Sequence, residues 1–168
     1  VLGARWGILV FVLDAAKGFL AASVPALLAA AWWASLAAGV AAILGHVFSP
    51  WLGFRGGRGV ATSLGVFLSI VPVPTLLAFG VWTALVLVSR RVSVGSLGAS
   101  LVYPALVFLL LRGDPHRTLL ACITAAVSLL VIVRHKANIQ RLLAGTEPPL
   151  RRGGRPTQGP GPGAPETP

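Results

Sequence analysis

An all-α polytopic integral membrane protein with about six transmembrane helices is the fold class the sequence predicts, on three observations. Of the 168 residues, 55% are hydrophobic and 11% charged, less than half the charge of a typical soluble domain, which is about 25%. Charges punctuate long neutral runs: 18–54, 59–89, 92–111 and 118–133 hold none and measure 37, 31, 20 and 16 residues. One helix needs about 20 apolar residues to cross a bilayer core. The apolar segments also continue almost to residue 133, which is not the pattern of a detachable signal peptide followed by a soluble domain.

The first span is expected from about Trp6 to Leu28 and the second from about Trp33 to Phe48. A third, Gly59 to Val71, is short at 13 residues, so its first turn begins inside the glycine-rich stretch or the segment is partly re-entrant. Pro72 and Pro74 interrupt the chain before the fourth span, Val73 to Ser89. The fifth is expected from Ser96 to Leu111, with Ser93 or Ser96 as its cap, and the sixth from Thr118 to Val133. Gly3 with Gly7, and Gly95 and Gly98 with Ser96 and Ser100, are expected points of close helix packing. Residues 1–147 form one membrane domain; Pro148 to Pro168 carries seven of the 13 prolines and reads as a disordered cytoplasmic tail. No internal repeat is visible, which disfavours an inverted-repeat transporter.

Loop charges orient these spans. With a cytoplasmic tail, Arg5, Arg55, Arg58, Arg90, Arg91, Arg134, Lys136, Arg141, Arg151, Arg152 and Arg155 fall on the inner side, against Arg112 and Arg117 outside. The net charge of +10 punctuates hydrophobic spans and coats no polar face, so nucleic acid is not the expected partner. Anionic lipid, an anionic substrate and membrane orientation account for it better. Three histidines and one cysteine lie in separate segments without zinc-site spacing, and no metal is expected. Cys122 reads as a packing residue.

Polar residues on this background are candidates for chemistry. Asp14 and Lys17, three apart, share one side of a helix and face the bundle, either as a structural pair or at a phosphate. Arg55, Gly56, Gly57, Arg58 and Gly59 can turn the backbone so that consecutive N–H groups and a helix start meet an anion, with Arg58 adding a planar fork and Thr62 a hydroxyl. The plainer reading is an interfacial turn with arginines as topology anchors. His46 closes the second span as a proton acceptor, a phosphate contact or an interfacial hydrogen bond. Trp51 and Phe54 read as interface anchors, and Arg90 and Arg91 first as orientation determinants. In RHKANIQRLLAGTE, His135, Asn138 and Arg141 recur at intervals of three beside Arg134, and Glu147 follows where the helix ends. A basic surface helix is the alternative there, although it has no need of the Asn138 amide.

DAAKG, GHVFSPWLGFRGGRGVAT and RHKANIQRLLAGTE together resemble, in order, three signatures of the bacterial glycerol-3-phosphate acyltransferases that use acyl phosphate, the PlsY family. The resemblance covers about residues 1 to 147. It implies transfer of a fatty acyl group from acyl phosphate to the 1-hydroxyl of sn-glycerol 3-phosphate, giving lysophosphatidate and phosphate, in the bacterial cell membrane. No cofactor and no obligatory protein partner are implied. Carried over residue by residue, His46, Arg58, His135, Asn138 and Glu147 become catalytic. Arg55, Gly56, Gly57, Arg58, Gly59, Thr62, Asn138 and Arg141 bind phosphate, and Asp14 and Lys17 support the site. Family members usually have lysine where Arg58 stands. The complete family fold has seven spans, with an SGNxGATNxxR loop immediately before a segment like Val1 to Gly3, so that loop and its span are expected upstream. The alternatives are a small multi-span transporter of an anionic metabolite, which needs polar groups at midplane on several helices, and an inactive membrane fragment of the acyltransferase.

Overall fold

The computed structural model describes residues 3–150. Within them the chain is all-helical: α1 (Gly3–Leu27), α2 (Trp32–Val47), a 3-10 turn (Pro50–Leu52), α3 (Val60–Ile70), α4 (Pro72–Ser89), α5 (Val92–Leu110), α6 (Arg117–Arg134) and α7 (Lys136–Leu143). The expected tail lies, from residue 151 onward, outside the described residues. Among the described residues five segments are long and apolar enough to cross a membrane: Arg5–Leu27, Trp32–Leu52, Pro72–Ser89, Val92–Leu110 and Arg117–Arg134. Large apolar side chains such as Leu27, Val88 and Leu101 point outward, the arrangement expected where lipid is the solvent.

The third expected span is the exception. Its helix α3 has 11 residues, about 16 Å at 1.5 Å per residue, against a hydrocarbon core of about 30 Å. It is nevertheless central. Ala61, Thr62, Gly65, Val66 and Phe67 are buried, and α3 packs on α1, α2 and α4. The α1–α3 contact is close because Gly18 lies against the Thr62 carbonyl and Gly65 against the Ala15 carbonyl, where any Cβ would overlap backbone. Neither glycine was among the expected packing points. Gly95 and Gly98 do pack, on Trp82, Leu85 and Val86 of α4, whereas Gly7 meets nothing.

Two boundaries differ from expectation for local reasons. Pro72 and Pro74 do not separate α3 from α4; they sit in the first turn of α4, where no intrahelical N–H is required, and the break narrows to Val71 at φ −135. Helix α5 starts at Val92 with Arg91 as its N-cap and no side-chain cap bond. Ser93 and Ser96 therefore lie inside the helix, and Ser96 donates to the Val92 carbonyl at 3.1 Å. Cys122 is exposed on α6, not packed. In the core, Thr75 Oγ1 donates to the Val71 carbonyl at 2.8 Å, which leaves Tyr103 as the donor in its 2.8 Å bond to that hydroxyl.

Candidate functional site

One end of the bundle gathers the C-terminus of α2, the 48–59 loop, the start of α3, the α4–α5 connection and the α6–α7 joint. The loop leaves α2 through the 3-10 turn and reverses at Gly53 and Phe54, at φ 57 and 62. Trp51 is 94% exposed and Phe54 is also exposed, in keeping with interface anchors. The glycine stretch then folds back onto α2. Gly57 N–H donates to the His46 carbonyl at 3.2 Å, Gly56 lies on the His46 and Val47 carbonyls, and Gly57 lies on the His46 ring. From the far side, Arg134 Nη2 donates to the Gly56 carbonyl at 2.9 Å.

Gly59, at φ 84, turns the chain into α3 without a side-chain cap. The first intrahelical bond here runs from Ser63 N–H to the Gly59 carbonyl, at 2.8 Å, so the N–H groups of Val60, Ala61 and Thr62 begin the helix without intrahelical acceptors. Beside them Thr62 Oγ1 is fully buried and has no hydrogen-bond partner among the described residues. Arg55 and Arg58 are exposed on the loop. An uncapped helix start, a buried free hydroxyl and two cations at one place are suited to an anion.

Below the loop, Lys17 Nζ contacts both the Asp14 carboxylate and His46 Nδ1, the latter at 2.7 Å. The pair expected to face the bundle thus reaches the α2 terminus, with Asp14 half-buried and Lys17 more exposed.

His135 occupies the joint between α6 and α7 and is 1% exposed. Its Nδ1 bonds the Val131 carbonyl at 2.8 Å; a carbonyl only accepts, so in the neutral ring Nε2 carries the lone pair. Burial, against the hydrogen bond to Val131, and then the charge of Arg58, against that of Glu147, hold this imidazole below the ordinary 6.5.

Asn138, Arg141 and Glu147 form a unit of their own. Asn138 Nδ2 donates to Glu147 Oε1 at 2.7 Å and Arg141 Nε to Glu147 Oε2 at 2.7 Å. Arg91 Nε donates to the Glu147 carbonyl at 3.1 Å, and Leu150 N–H to the Arg90 carbonyl at 2.6 Å. Glu147 is 7% exposed, and Ser93 Oγ is buried without a partner in hydrogen-bond geometry. Asn138 and Arg141, expected at phosphate by resemblance, each give a donor to Glu147, and with the Arg91 bond to the Glu147 carbonyl this straps the segment after α7 onto the start of α5. Arg134 and Arg91 were missed as loop and strap contacts. A basic residue ending an apolar run looks the same whether it anchors topology or reaches a distant carbonyl.

Farther into the bundle an apolar cleft runs from Val60 and Leu64 past Phe67 to Phe79, Trp82 and Tyr103. Among the described residues no three His, Cys, Asp or Glu side chains group as a metal site.

Fold and site together define a multi-span membrane protein with its polar side chains collected at one end of an apolar bundle. Residues 1–145 match the profile of the glycerol-3-phosphate acyltransferase family. The chain is 43% identical over 137 residues to the glycerol-3-phosphate acyltransferase of Sinorhizobium medicae, covering 80% of this chain and 63% of that protein. It is 40% identical over 151 residues to the Aquifex aeolicus enzyme of the same name, covering 87% and 74%. Among solved structures it superposes on PlsY, an integral membrane glycerol 3-phosphate acyltransferase, in its glycerol 3-phosphate form. That match has a TM-score of 0.76 and 37% identity, over 88% of this chain and 72% of that one. The chain belongs to the glycerol-3-phosphate acyltransferase family, and it spans about three-fifths to three-quarters of the length of these relatives.

Proposed function

We propose that the protein transfers a fatty acyl group from acyl phosphate to the sn-1 hydroxyl of glycerol 3-phosphate, releasing phosphate and leaving 1-acyl-glycerol 3-phosphate. The observation that carries this reading is the meeting of two segments far apart in sequence. The glycine loop with the uncapped start of α3 lies beside the α6–α7 joint that holds His135, and Arg134 ties the two together. Both substrates bring a phosphate to this end. The loop N–H groups, Thr62, Arg55 and Arg58 neutralise and position them, and the apolar cleft takes the acyl chain from the bilayer.

The acceptor hydroxyl attacks the carbonyl carbon of the mixed anhydride, the C–O bond to phosphate breaks, and the proton goes to the departing phosphate or to His135 Nε2. Catalysis of this kind is largely positioning and electrostatic stabilisation. Support for His135 over His46 as acceptor is its Nδ1 bond to a carbonyl, which leaves the lone pair of the neutral ring on Nε2. Asn138 and Arg141 act with Glu147 by holding the joint in place, and each keeps donors to spare for substrate.

Product assays test the reading. Reconstituted from its full coding region, the protein should form lysophosphatidate from acyl phosphate and glycerol 3-phosphate. Arg58→Ala should cut kcat/KM by about one to two orders of magnitude, the loss expected for a charge-assisted phosphate contact, with normal membrane insertion. Absence of product from the parent protein would sink the reading. Unchanged kinetics in Arg58→Ala would return that residue to topology, and an unchanged rate in His135→Ala would leave proton removal to the phosphate alone.

Six crossings are proposed, with α3 and its loop together forming the third; the excess of Arg55, Arg58, Arg90, Arg91, Arg134, Lys136 and Arg141 at one end over Arg112 and Arg117 at the other supports a cytoplasmic site. The expected result of labelling single cysteines, in a Cys122→Ser background, is that a cysteine at Gly113 reacts with an impermeant thiol reagent from outside and one at Arg90 does not. The reverse pattern would overturn the orientation.

A further inference from the structure

Lys17 and Asp14 stand beside the same histidine nitrogen, as a donor and an acceptor that cannot both use it in one tautomer. Its ammonium contacts the Asp14 carboxylate and, at 2.7 Å, His46 Nδ1. Asp14 Oδ1 itself stands 3.6 Å from Nδ1, beyond hydrogen-bond reach. An ammonium has three donors and no acceptor, so His46 Nδ1 accepts. A neutral imidazole that accepts at Nδ1 carries its proton on Nε2. That nitrogen occupies the space a Gly57 side chain would fill. The ring edge therefore stands against the glycine loop, held there from the other side by Lys17.

We propose that Lys17 is a positioning residue for His46: by donating to Nδ1 it keeps the ring proton on Nε2, at the glycine loop, where it donates to a phosphate oxygen. This rests on the reading of the loop as a phosphate site and assigns His46 the part of a hydrogen-bond donor in place of a base. Removing the ammonium reverses the arrangement. Asp14 is then the remaining partner of Nδ1, and a carboxylate can only accept, so the proton moves to Nδ1. Nε2 then presents a lone pair to the loop, which repels phosphate oxygens. Asp14 thus gives the site its alternative state, and Lys17 decides which tautomer the loop meets.

The tautomer can be read without turnover. In the full-length protein with 15N-labelled histidine in nanodiscs, at about pH 8.5, two units above an ordinary histidine, the ring nitrogens of His46 should report a protonated Nε2. Lys17→Arg should keep that pattern, because guanidinium also only donates. Lys17→Met should move the proton to Nδ1. Inorganic phosphate, as the probe, should bind Lys17→Met about tenfold more weakly, the loss of one charge-assisted hydrogen bond, while Lys17→Arg recovers most of the affinity. In kinetics the Lys17→Met defect should fall on KM for glycerol 3-phosphate more than on kcat. A protonated Nδ1 in the parent protein, or a Lys17→Met protein with the parent tautomer, overturns the proposal whatever its stability. Phosphate binding by Lys17→Met as tight as in the parent overturns it as well. If the parent protein and Arg58→Ala bind phosphate equally, the loop is not the phosphate site and that broader reading fails, whereas the spectra still judge Lys17 alone.

Discussion

Gly56→Ala should lower turnover about a hundredfold, the effect of displacing a substrate-positioning element by roughly 1 Å. A Cβ at this position overlaps the His46 carbonyl and the carbonyl group of Val47. Those atoms belong to the last turn of α2, which Ile43 and Val47, both at 0% exposure, lock into the core. Backbone on that side cannot yield, so the loop must lift. Lifting it breaks the Gly57 N–H bond to the His46 carbonyl and strains the Arg134 bond to the Gly56 carbonyl, the two contacts that hold the loop from opposite sides. Gly57→Ala meets only the His46 side chain, which can yield where backbone cannot, so the loop should stay in place and the effect should be smaller, limited to what the displaced ring contributes. Gly45→Ala, with nothing within 4 Å of the new methyl, should leave activity within about twofold and slightly favour the helix. Equal activities for the Gly56 and Gly45 variants would show that the loop does not position substrate.

Glu147→Ala should destabilise the fold by about 3 kcal/mol, because it leaves a buried amide and a cation without their common acceptor. The carboxylate takes donors from Asn138, 4% exposed, and from Arg141. Its removal should also loosen the strap, leaving the Arg91 bond to the main-chain carbonyl of residue 147 as a remaining tie, so activity should fall together with stability. Burial alone raises this carboxyl; the Asn138 amide, the neighbouring Ser93 hydroxyl and Arg141 outweigh it and hold it at about 2, against an ordinary 4.5. The folded value is the depressed one, so the stabilisation is fully present above pH 4.5 and fades as pH falls toward 2. Melting temperatures of parent and variant in detergent should converge over that window. A gap that stays constant down to pH 3 would mean that packing, and not the charge, carries the effect.

Much of this was legible in the sequence. Long neutral runs located five long helices, and the mixture of glycine and arginine at 55–59 marked the loop, because both signals depend on residue type within a short window. The expected start of α5 was misplaced because Ser93 looks like a cap, yet its hydroxyl is turned inward and Arg91 caps with backbone alone. The prolines at 72 and 74 suggest a gap by residue type, although the first turn of a helix tolerates them. Glu147 was placed among catalytic residues by resemblance. Its carboxylate takes donors from Asn138 and Arg141, nine and six residues away, contacts that no local pattern displays.

By itself the sequence determined the membrane class, the order of its apolar segments, the basic end and the residue types available for holding an anion. Hydropathy and charge are properties of neighbours along the chain, and a bilayer sorts them by depth whatever the packing. Only the tertiary structure decided which of these residues meet. Lys17 reaches His46, Arg134 reaches Gly56 and Arg91 reaches Glu147 across separations of 29, 78 and 56 residues. Those meetings depend on how closely and at what depth the helices pack. That depth is set by backbone contacts at Gly18 and Gly65, glycines whose role appears only once another helix lies against them.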